Sequence, residues 1–205
     1  MSDLLLVPLE DTVVFPGMTV TLTVDTGDET EVLLVPQHGQ EYAKVGTVAR
    51  VDERVRLPRG AGSAVVLTGL HRGVIGAART DAQGNLRVEV EEIEDENPAP
   101  VKTRELEREY RAIVEEILEL RDADERIGQF LRSITEAGAL ADTCAYAPDI
   151  SFAQRVELLE TVDVVERLEF AVKLQRERLA ELQVRARIRE DVESGAQKQQ
   201  REWFL

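Results

Sequence analysis

The sequence predicts an α+β protein: a β-rich barrel or sandwich at the amino terminus, then a helical bundle and a long carboxyl-terminal helix. Apolar residues alternate with threonines over residues 19–24, which is the period of two expected for a half-buried strand. Beyond Thr103, apolar residues recur every three or four positions, as on one helix face. Between the two patterns stand an acidic run and then Asn97-Pro98-Ala99-Pro100. Because prolines interrupt a strand ladder, we predict one domain over residues 1–97 and a second over residues 103–190.

Seven or eight short strands are predicted in the first domain, a number typical of a small barrel or sandwich. The candidates are residues 4–9, 19–24, 32–35, 46–51, 55–57, 64–70, 74–78 and 86–93. Residues that favour turns separate several of them: residues 25–28, the pair Asp52-Glu53, residues 58–60 and residues 81–85.

Two helices and a shorter one are predicted at the start of the second domain. One face of the first helix carries Leu106, Tyr110, Ile113, Ile117 and Leu120. Asp122 with Glu125 predicts the N-cap of the second helix, and Gly138 predicts its C-terminal stop. The apolar face of that helix carries Ile127, Phe130, Leu131 and Ile134. A short helix is expected over residues 139–146, ahead of Pro148.

The longest helical pattern begins at about residue 151, where Ser151 and Gln154 form a capping-box sequence. A heptad-like seam then runs through Leu158, Thr161, Val165, Leu168, Val172, Gln175, Leu179, Leu182, Ala186 and Arg189. Ser194-Gly195 indicates a weak point, so we predict that residues 191–205 begin a further helix leading to an absent module. This helix ends in Trp203-Phe204-Leu205, as expected if the chain is cut within it.

Composition excludes several classes of function. A net charge of −15 opposes binding to nucleic acid or to an anionic membrane. Residues 173–189 hold six basic and two acidic side chains, the one stretch where a polyanion such as DNA or polyphosphate could dock, although a solvated helix face is favoured. No signal peptide and no apolar run long enough to cross a bilayer is found, so a cytoplasmic location is expected.

We predict no catalytic, cofactor-binding or metal-binding residue in this sequence. The sequence has no phosphate-binding loop, and His38 and His71 belong to no metal-binding pattern. Cys144 lies in an apolar context that favours a buried thiol over a nucleophile. The acids of residues 89–96 could hold a hard cation, but a solvated linker is the better interpretation.

Four stretches, in order along the chain, resemble the amino-terminal region of bacterial ATP-dependent Lon proteases. The first is residues 4–18, LLLVPLEDTVVFPGM. The second comprises GTVARV at 46–51, RLPRG at 56–60 and TGLHR at 68–72. The third is LADT at 140–143 with LLETVDVVERL at 158–168, and the fourth is KQQREWFL at 198–205.

This resemblance implies a PUA-like β-rich subdomain, a helical bundle, and a long helix that runs toward an ATPase module. It also implies a non-catalytic region that engages damaged, misfolded or signal-bearing proteins and assists assembly of a homohexamer. ATP, Mg²⁺ and the Ser-Lys dyad of the serine endopeptidase would belong to the missing modules. Candidate protein-interaction residues are Phe15, Pro16, Met18, Leu179, Leu182, Trp203, Phe204 and Leu205.

One departure from the resemblance concerns residues 25–45. Lon proteases usually place a helix between the positions of Val24 and Gly46, whereas residues 36–44 here are too polar and broken for one. We therefore do not expect the binding surface which that helix would provide. The alternative function is a stand-alone PUA-like protein that binds a small ligand or RNA.

Overall fold

The computed structural model describes residues 1–56, 63–97 and 99–203. A β-sheet region comes first and helices follow, so the predicted α+β order is confirmed. The strands are β1 (Ser2–Glu10), β2 (Thr19–Leu22), β3 (Glu31–His38), β4 (Glu41–Tyr42), β5 (Val45–Arg56), β6 (Ser63–Thr80) and β7 (Leu86–Ile93). The helices are α1 (Pro100–Leu120), α2 (Glu125–Ser133), α3 (Ala137–Asp142), a 3₁₀ helix (Thr143–Tyr146), α4 (Phe152–Glu160) and α5 (Val164–Trp203).

Five of the strands close into a barrel. The order β1-β7-β6-β5-β3 returns to β1 through a parallel β1–β3 pairing, while β2 pairs with β6 and β4 pairs with β3. Closure leaves these five strands with partners on both sides, which removes open edges. Residues 25–44 form β3, β4 and turns, so the helix that Lon proteases usually place there is absent from this segment, as expected.

Two long, irregular strands replace four of the predicted short ones. The Asp52-Glu53 pair is a register shift within β5, not a turn, because a bulge accommodates one extra residue without ending the strand. The segments predicted at 64–70 and 74–78 are likewise one strand, β6, with a shift between Ile75 and Ala78. The turn predicted at residues 58–60, and Leu57 beside it, lie outside the described residues.

The connection between α1 and α2 differs from the prediction. Asp122 does not cap α2; it adopts a left-handed conformation (φ 50°) just past the end of α1. Its N–H donates to Glu119 O at 3.1 Å, and Ala123 N–H donates to Leu118 O at 3.0 Å. These two bonds form a Schellman motif, which short polar residues such as Asp tolerate. The N-cap of α2 is Asp124, whose carboxylate accepts from Arg126 N–H.

The long helix predicted from about residue 151 is two helices. The Ser151 capping box is present and begins α4, but α4 ends at Glu160. α5 begins at Val164, because Asp163 accepts a hydrogen bond from Glu166 N–H at 2.9 Å and starts a new helix. Beyond that break, α5 continues for 40 residues, through Gly195, without the predicted interruption.

The barrel and the helices share one core. Val13, Phe15 and Val45 from the β-rich part belong to the same buried cluster as Tyr110 of α1 and Leu168 of α5. The domain boundary near residue 97 stays a prediction. Along this cluster, the β-barrel and the helices pack directly against each other.

Two buried arginines connect the two parts through hydrogen bonds. Arg72, in β6, donates to both carboxylate oxygens of Asp142 in α3, at 2.7 and 3.0 Å. Its Nε donates to Leu159 O at 2.9 Å, and one Nη donates to Leu158 O at 3.3 Å. These carbonyls lie in the last turn of α4, where no further helical N–H satisfies them.

Arg167, in α5, is the second arginine. It donates to both oxygens of Asp95 at 2.7 and 2.9 Å and to the carbonyls of Thr161 and Val162 at 2.8 and 2.9 Å. Its Nη1 also lies 3.6 Å from Asp142. Burial alone would raise the pKa of Asp95, but the hydrogen bonds and charge of Arg167 outweigh it and hold that pKa below its ordinary value.

Gly138 lies beside this network and inside α3, not at the predicted stop of α2. A Cβ at this position would overlap the Asp95 carboxylate and lie 3.1 Å from Arg167 Nη1. The absence of a side chain therefore lets α3 approach the ion pair closely.

We predict that Gly138→Ala lowers the free energy of unfolding by about 2 kcal/mol, because the added methyl displaces Asp95 from Arg167. The matched control is Gly195→Ala in exposed α5, where a Cβ meets nothing within 4 Å. This control should stabilise the helix by about 0.5–1 kcal/mol. Urea unfolding measures both changes, and equal changes in the two variants would contradict the packing at Gly138.

Candidate functional site

The candidate interaction residues near the amino terminus are one buried residue, Phe15, and two partly buried ones, Pro16 and Met18. Phe15 is 0% exposed and lies under the Arg72 guanidinium, 5.8 Å from ring centre to Cζ. Met18 is partly buried, contacts the clusters on both sides, and its sulfur accepts from Phe15 N–H at 3.3 Å. Pro16 is also partly buried. Phe15 therefore packs in the core and Met18 at its edge, because the turn that carries them folds inward between barrel and helices.

The candidates on α5 divide into a packed part and an exposed part. Leu179 and Leu182 are partly buried against the shared core. Trp203 is 89% exposed, and Phe204 and Leu205 lie outside the described residues. An exposed stripe that the seam prediction missed runs along α5 at intervals of four residues: Val184, Ile188 and Val192.

Nucleophile and metal chemistry have little support in the described residues. Burial raises the pKa of the Cys144 thiol to about 12, so the thiol stays protonated near neutral pH. His38 pairs with Asp11 at 2.7 Å and His71 with Glu92 at 2.9 Å. No cluster of three or more His, Cys, Asp or Glu suited to a metal occurs in residues 1–56, 63–97 and 99–203.

The basic stretch at residues 173–189 is partly neutralised by intramolecular pairs. Arg176 pairs with Glu109 of α1, and Arg178 lies 3.3 Å from Asp149. None of the helices in the described part of the chain combines the length and apolar composition needed to span a membrane.

An apolar groove between α1, α2, the 3₁₀ helix and α5 is the strongest candidate for a site. It encloses about 270 Å³. Its apolar walls are formed by Val114, Ile117, Leu118, Ala123, Ile127, Phe130, Leu131, Tyr146, Ala147 and Pro148. Ligand sites commonly combine such walls with a few placed polar groups.

The floor of the groove is polar but internally satisfied. Gln175 donates to Tyr110 Oη at 3.3 Å, Tyr110 shares a 2.9 Å hydrogen bond with Thr143, and Thr143 donates to Leu140 O at 2.6 Å. Burial raises the pKa of Tyr110 above its ordinary value, so it remains a neutral phenol. At the mouth, Arg121 and Arg178 both donate to Asp149. Because each group already has a partner, the groove favours burial of an apolar group over proton transfer.

Half-exposed apolar side chains surround this groove. Ile127 is 46% exposed, Phe130 50% and Tyr146 45%, and α2 contributes no buried residue. Arg111 holds the C-terminal end of α2 by donating to the carbonyls of Leu131 and Ile134. The apolar face of α2 was predicted from the sequence, but only Leu131 and Ile134 pack against the core. Ile127 and Phe130 instead face the groove. No local sequence pattern distinguishes these two positions from Leu131 and Ile134, which pack against the core.

The described residues form a closed β-barrel joined to a helical bundle that carries an apolar, internally satisfied groove. Comparison with known proteins identifies its family. The protein-family model of the ATP-dependent protease La (LON) substrate-binding domain matches residues 3–176 of this sequence. The chain therefore belongs to the family of Lon substrate-binding domains, and the resemblance inferred from the sequence is confirmed.

Similar proteins of known sequence are longer Lon proteases. That of Salinispora arenicola (strain CNS-205) is 39% identical over 217 residues, covering 100% of this chain and 27% of that protein. That of Chloroflexus aurantiacus is 37% identical over 220 residues, covering 98% of this chain and 26% of that protein. The chain thus spans about a quarter of the length of these relatives.

Two solved structures share the fold. The N-terminal domain of the Mycobacterium avium complex Lon protease has a TM-score of 0.73 and 30% identity, covering 85% of this chain and 98% of that one. A Lon N-terminal domain protein from Xanthomonas campestris has a TM-score of 0.55 at 22% identity, covering 82% and 96%, which supports the fold alone.

We predict that Ile127→Ser and Phe130→Ser each change the free energy of unfolding by less than about 1 kcal/mol, because both side chains are half-exposed. The controls Ile117→Ala and Leu140→Ala, which empty buried positions of the same bundle, should each cost about 2–5 kcal/mol. Chemical denaturation compares the four variants. If Phe130→Ser costs as much as Leu140→Ala, α2 is an integral part of the core and the groove is not a surface.

Proposed function

We propose that this chain is the substrate-engaging amino-terminal region of a Lon-type ATP-dependent protease, and that the α2 groove binds apolar segments of damaged, misfolded or signal-bearing proteins. The observation that carries the proposal is the set of half-exposed apolar side chains, Ile127, Phe130 and Tyr146, that line the apolar groove. Unfolded proteins expose apolar side chains that a folded protein hides, so such a groove recognises the unfolded state without reading a sequence.

Weak binding is expected of one groove. Burying one large apolar side chain contributes about 1.5–3 kcal/mol. The conformational entropy that the bound segment loses opposes this gain, so one groove alone does not give tight binding. Several copies of the module on one assembly would raise the effective concentration and strengthen the hold on a long unfolded chain.

The remainder of the proposed protein lies outside these residues. Its Lon relatives are roughly four times longer. We propose that ATP and Mg²⁺ bind, and that a Ser-Lys dyad cleaves peptide bonds, in modules beyond this chain, within a homohexamer. The cytoplasmic location stays a prediction. Membership of the Lon family favours this function over a stand-alone PUA-like protein for RNA or a small ligand.

Self-association is a second proposed role, and the stripe Val184-Ile188-Val192 supports it. These three side chains are exposed on the part of α5 that follows Leu179 and Leu182, which still pack against the core. A long helix with an exposed apolar stripe gains stability by pairing. Arg185 and Arg189 stand beside the stripe, so the pairing is expected to be weak.

We predict that Ile127→Ser combined with Phe130→Ser weakens binding to labelled casein, an unfolded protein, about tenfold in fluorescence anisotropy, because two apolar contacts are lost. The matched control is Val184→Ser combined with Ile188→Ser, which removes apolar groups of similar exposure from α5. Equal binding by the wild type and the groove variant would exclude the groove as the substrate site.

We further predict that the 205-residue chain self-associates weakly at high concentration in sedimentation, and that Val184→Ser with Ile188→Ser and Val192→Ser makes it monomeric. Substitution is a sharper test than removing residues after Val172, since Leu174, Leu179 and Leu182 pack against the core. The groove variant serves as the control and should still associate. A wild-type chain that is monomeric throughout would leave assembly to other modules.

A further inference from the structure

The charged side chains that line the apolar groove are both arginines. Arg121 stands at the C-terminal cap of α1, and Arg178 lies on α5. Within the part of the chain that the structure describes, no acidic side chain belongs to the lining of this groove. The groove is therefore a locally positive site on a chain whose net charge is −15.

Arg178 is held in place from two sides. Its Nη1 donates to Gln175 Oε1 at 2.7 Å, which connects it to the hydrogen-bonded floor, and its Nη2 lies 3.3 Å from Asp149 Oδ2. The side chain is 11% exposed, so solvent and salt screen its charge less than that of a surface arginine. This charge acts inside the bundle as well: burial raises the pKa of the Cys144 thiol, and Arg178 opposes that rise. The groove thus holds a positive charge that is fixed before anything binds.

The two arginines share one counter-ion. Arg121 and Arg178 both donate to Asp149 Oδ2, and neither forms another ion pair with a residue that the structure describes. A single carboxylate balances only one of the two positive charges. Of the five N–H donors of a guanidinium group, Arg121 uses one for Asp149. The mouth of the groove therefore keeps an excess positive charge and free hydrogen-bond donors.

The size of the groove limits what can enter it. Its volume of about 270 Å³ is at the small end of the range for ligand pockets, roughly 300–1,000 Å³. An apolar cavity of about 150 Å³ already accepts benzene, so the groove has room for one or two large side chains. Because the Gln175–Tyr110–Thr143 network closes the floor, an internal polypeptide segment must enter and leave past the same mouth. The end of a chain enters only once.

A terminal carboxylate also suits the arginines better than an internal peptide group does. It offers a full negative charge and two acceptor oxygens, which guanidinium groups bind through strong, charge-assisted hydrogen bonds. An internal peptide group offers one neutral carbonyl. At a chain end, the carboxylate belongs to the same residue as the last side chain, so burial of that side chain brings the carboxylate to the mouth.

We infer that the groove binds the carboxyl-terminal end of a polypeptide whose last residue is bulky and apolar. The apolar side chain contacts Ile127 and Phe130, and the α-carboxylate pairs with Arg121 and Arg178. Asp149 competes with that carboxylate for the same guanidinium groups and so limits the affinity. This inference rests on the proposed function and specifies its substrate class.

The test uses Gly–Ser peptides, labelled at the amino terminus, that share a Leu-Phe pair. In the first peptide Phe is the last residue and carries a free carboxylate; in the second the same terminus is an amide; in the third an amidated Gly–Ser segment follows Phe. Fluorescence anisotropy should show that the first peptide binds the chain about fivefold more tightly than the other two, because only it gains charge-assisted hydrogen bonds.

A fourth peptide separates a chain end from any nearby negative charge. It carries Glu directly after Phe and ends in an amide, so its carboxylate is on a side chain. It should bind no more than about twofold more tightly than the amide peptide, because this carboxylate stands farther from the buried side chain. Binding equal to that of the free-carboxylate peptide would overturn the restriction to chain ends.

Variants assign the preference to the arginines. Arg121→Gln should reduce the preference for the free carboxylate from about fivefold to below about twofold. Asp149→Asn removes the competing carboxylate and should increase the preference. This second variant keeps the test decisive if Arg121→Gln fails to fold, since a structural defect would not tighten binding. The control Arg126→Gln removes the same charge from a position on α2 that is 86% exposed and outside the groove lining, and should keep the preference.

The outcomes separate this inference from the proposed function. Equal binding of the carboxylate and amide peptides to the wild type overturns the inference, as does a preference that Arg121→Gln retains or that Arg126→Gln loses equally. The proposed function still holds in those cases if both peptides lose affinity for the Ile127→Ser, Phe130→Ser variant. If the amide peptide binds the wild type and that variant equally, the groove is not the site and the proposed function fails.

Discussion

Two buried guanidinium groups are the constraint on which the structure depends. A guanidinium taken out of water needs hydrogen-bond acceptors for its donors and a negative charge nearby, or burial costs several kcal/mol. Arg72 and Arg167 are fully buried and each donates four hydrogen bonds. Asp142 and Asp95 supply the charges. Two of the four stretches that carry the family resemblance meet here. TGLHR of the second contains Arg72, while LADT and LLETVDVVERL of the third contain Asp142 and Arg167.

The break between α4 and α5 follows from the same requirement. In one continuous helix, the carbonyls of residues 158–162 would accept from N–H groups four residues further on and would be closed to side chains. The chain instead ends α4 at Glu160, and four carbonyls of this segment accept from the two arginines. The capping carboxylate of Asp163 then starts α5. A helical break, the path of the linker through Asp95 and the missing side chain at Gly138 all serve the same four charged groups.

This accounts for what the sequence could and could not predict. Local signals succeeded: the alternation at β2, the Asp81–Asn85 turn and the Ser151 capping box depend on neighbouring residues alone. The prediction of one continuous heptad-like seam was wrong at residues 161–163. The carbonyls of Thr161 and Val162 accept from Arg167 there, a contact that apolar periodicity does not show. The burial of Phe15 could not be predicted from local pattern either, since Arg72 and the helices that cover it are distant in the chain. The groove was missed because periodicity shows that Ile127 and Phe130 share an apolar face, but not whether that face is covered.

The helices of the bundle differ in how firmly they are held, and this difference bears on the proposed function. Ion pairs and a continuous core fix α1, α3 and α5 around the barrel, whereas α2 is held mainly at its C-terminal end by Arg111. Its half-exposed side chains, Ile127 and Phe130, line the groove. Binding elements are often drawn from the less stable parts of a fold, because a ligand can be accommodated there without disturbing the core. A rigid frame with one lightly packed helix is the arrangement that the proposed binding of apolar segments of varied shape would require.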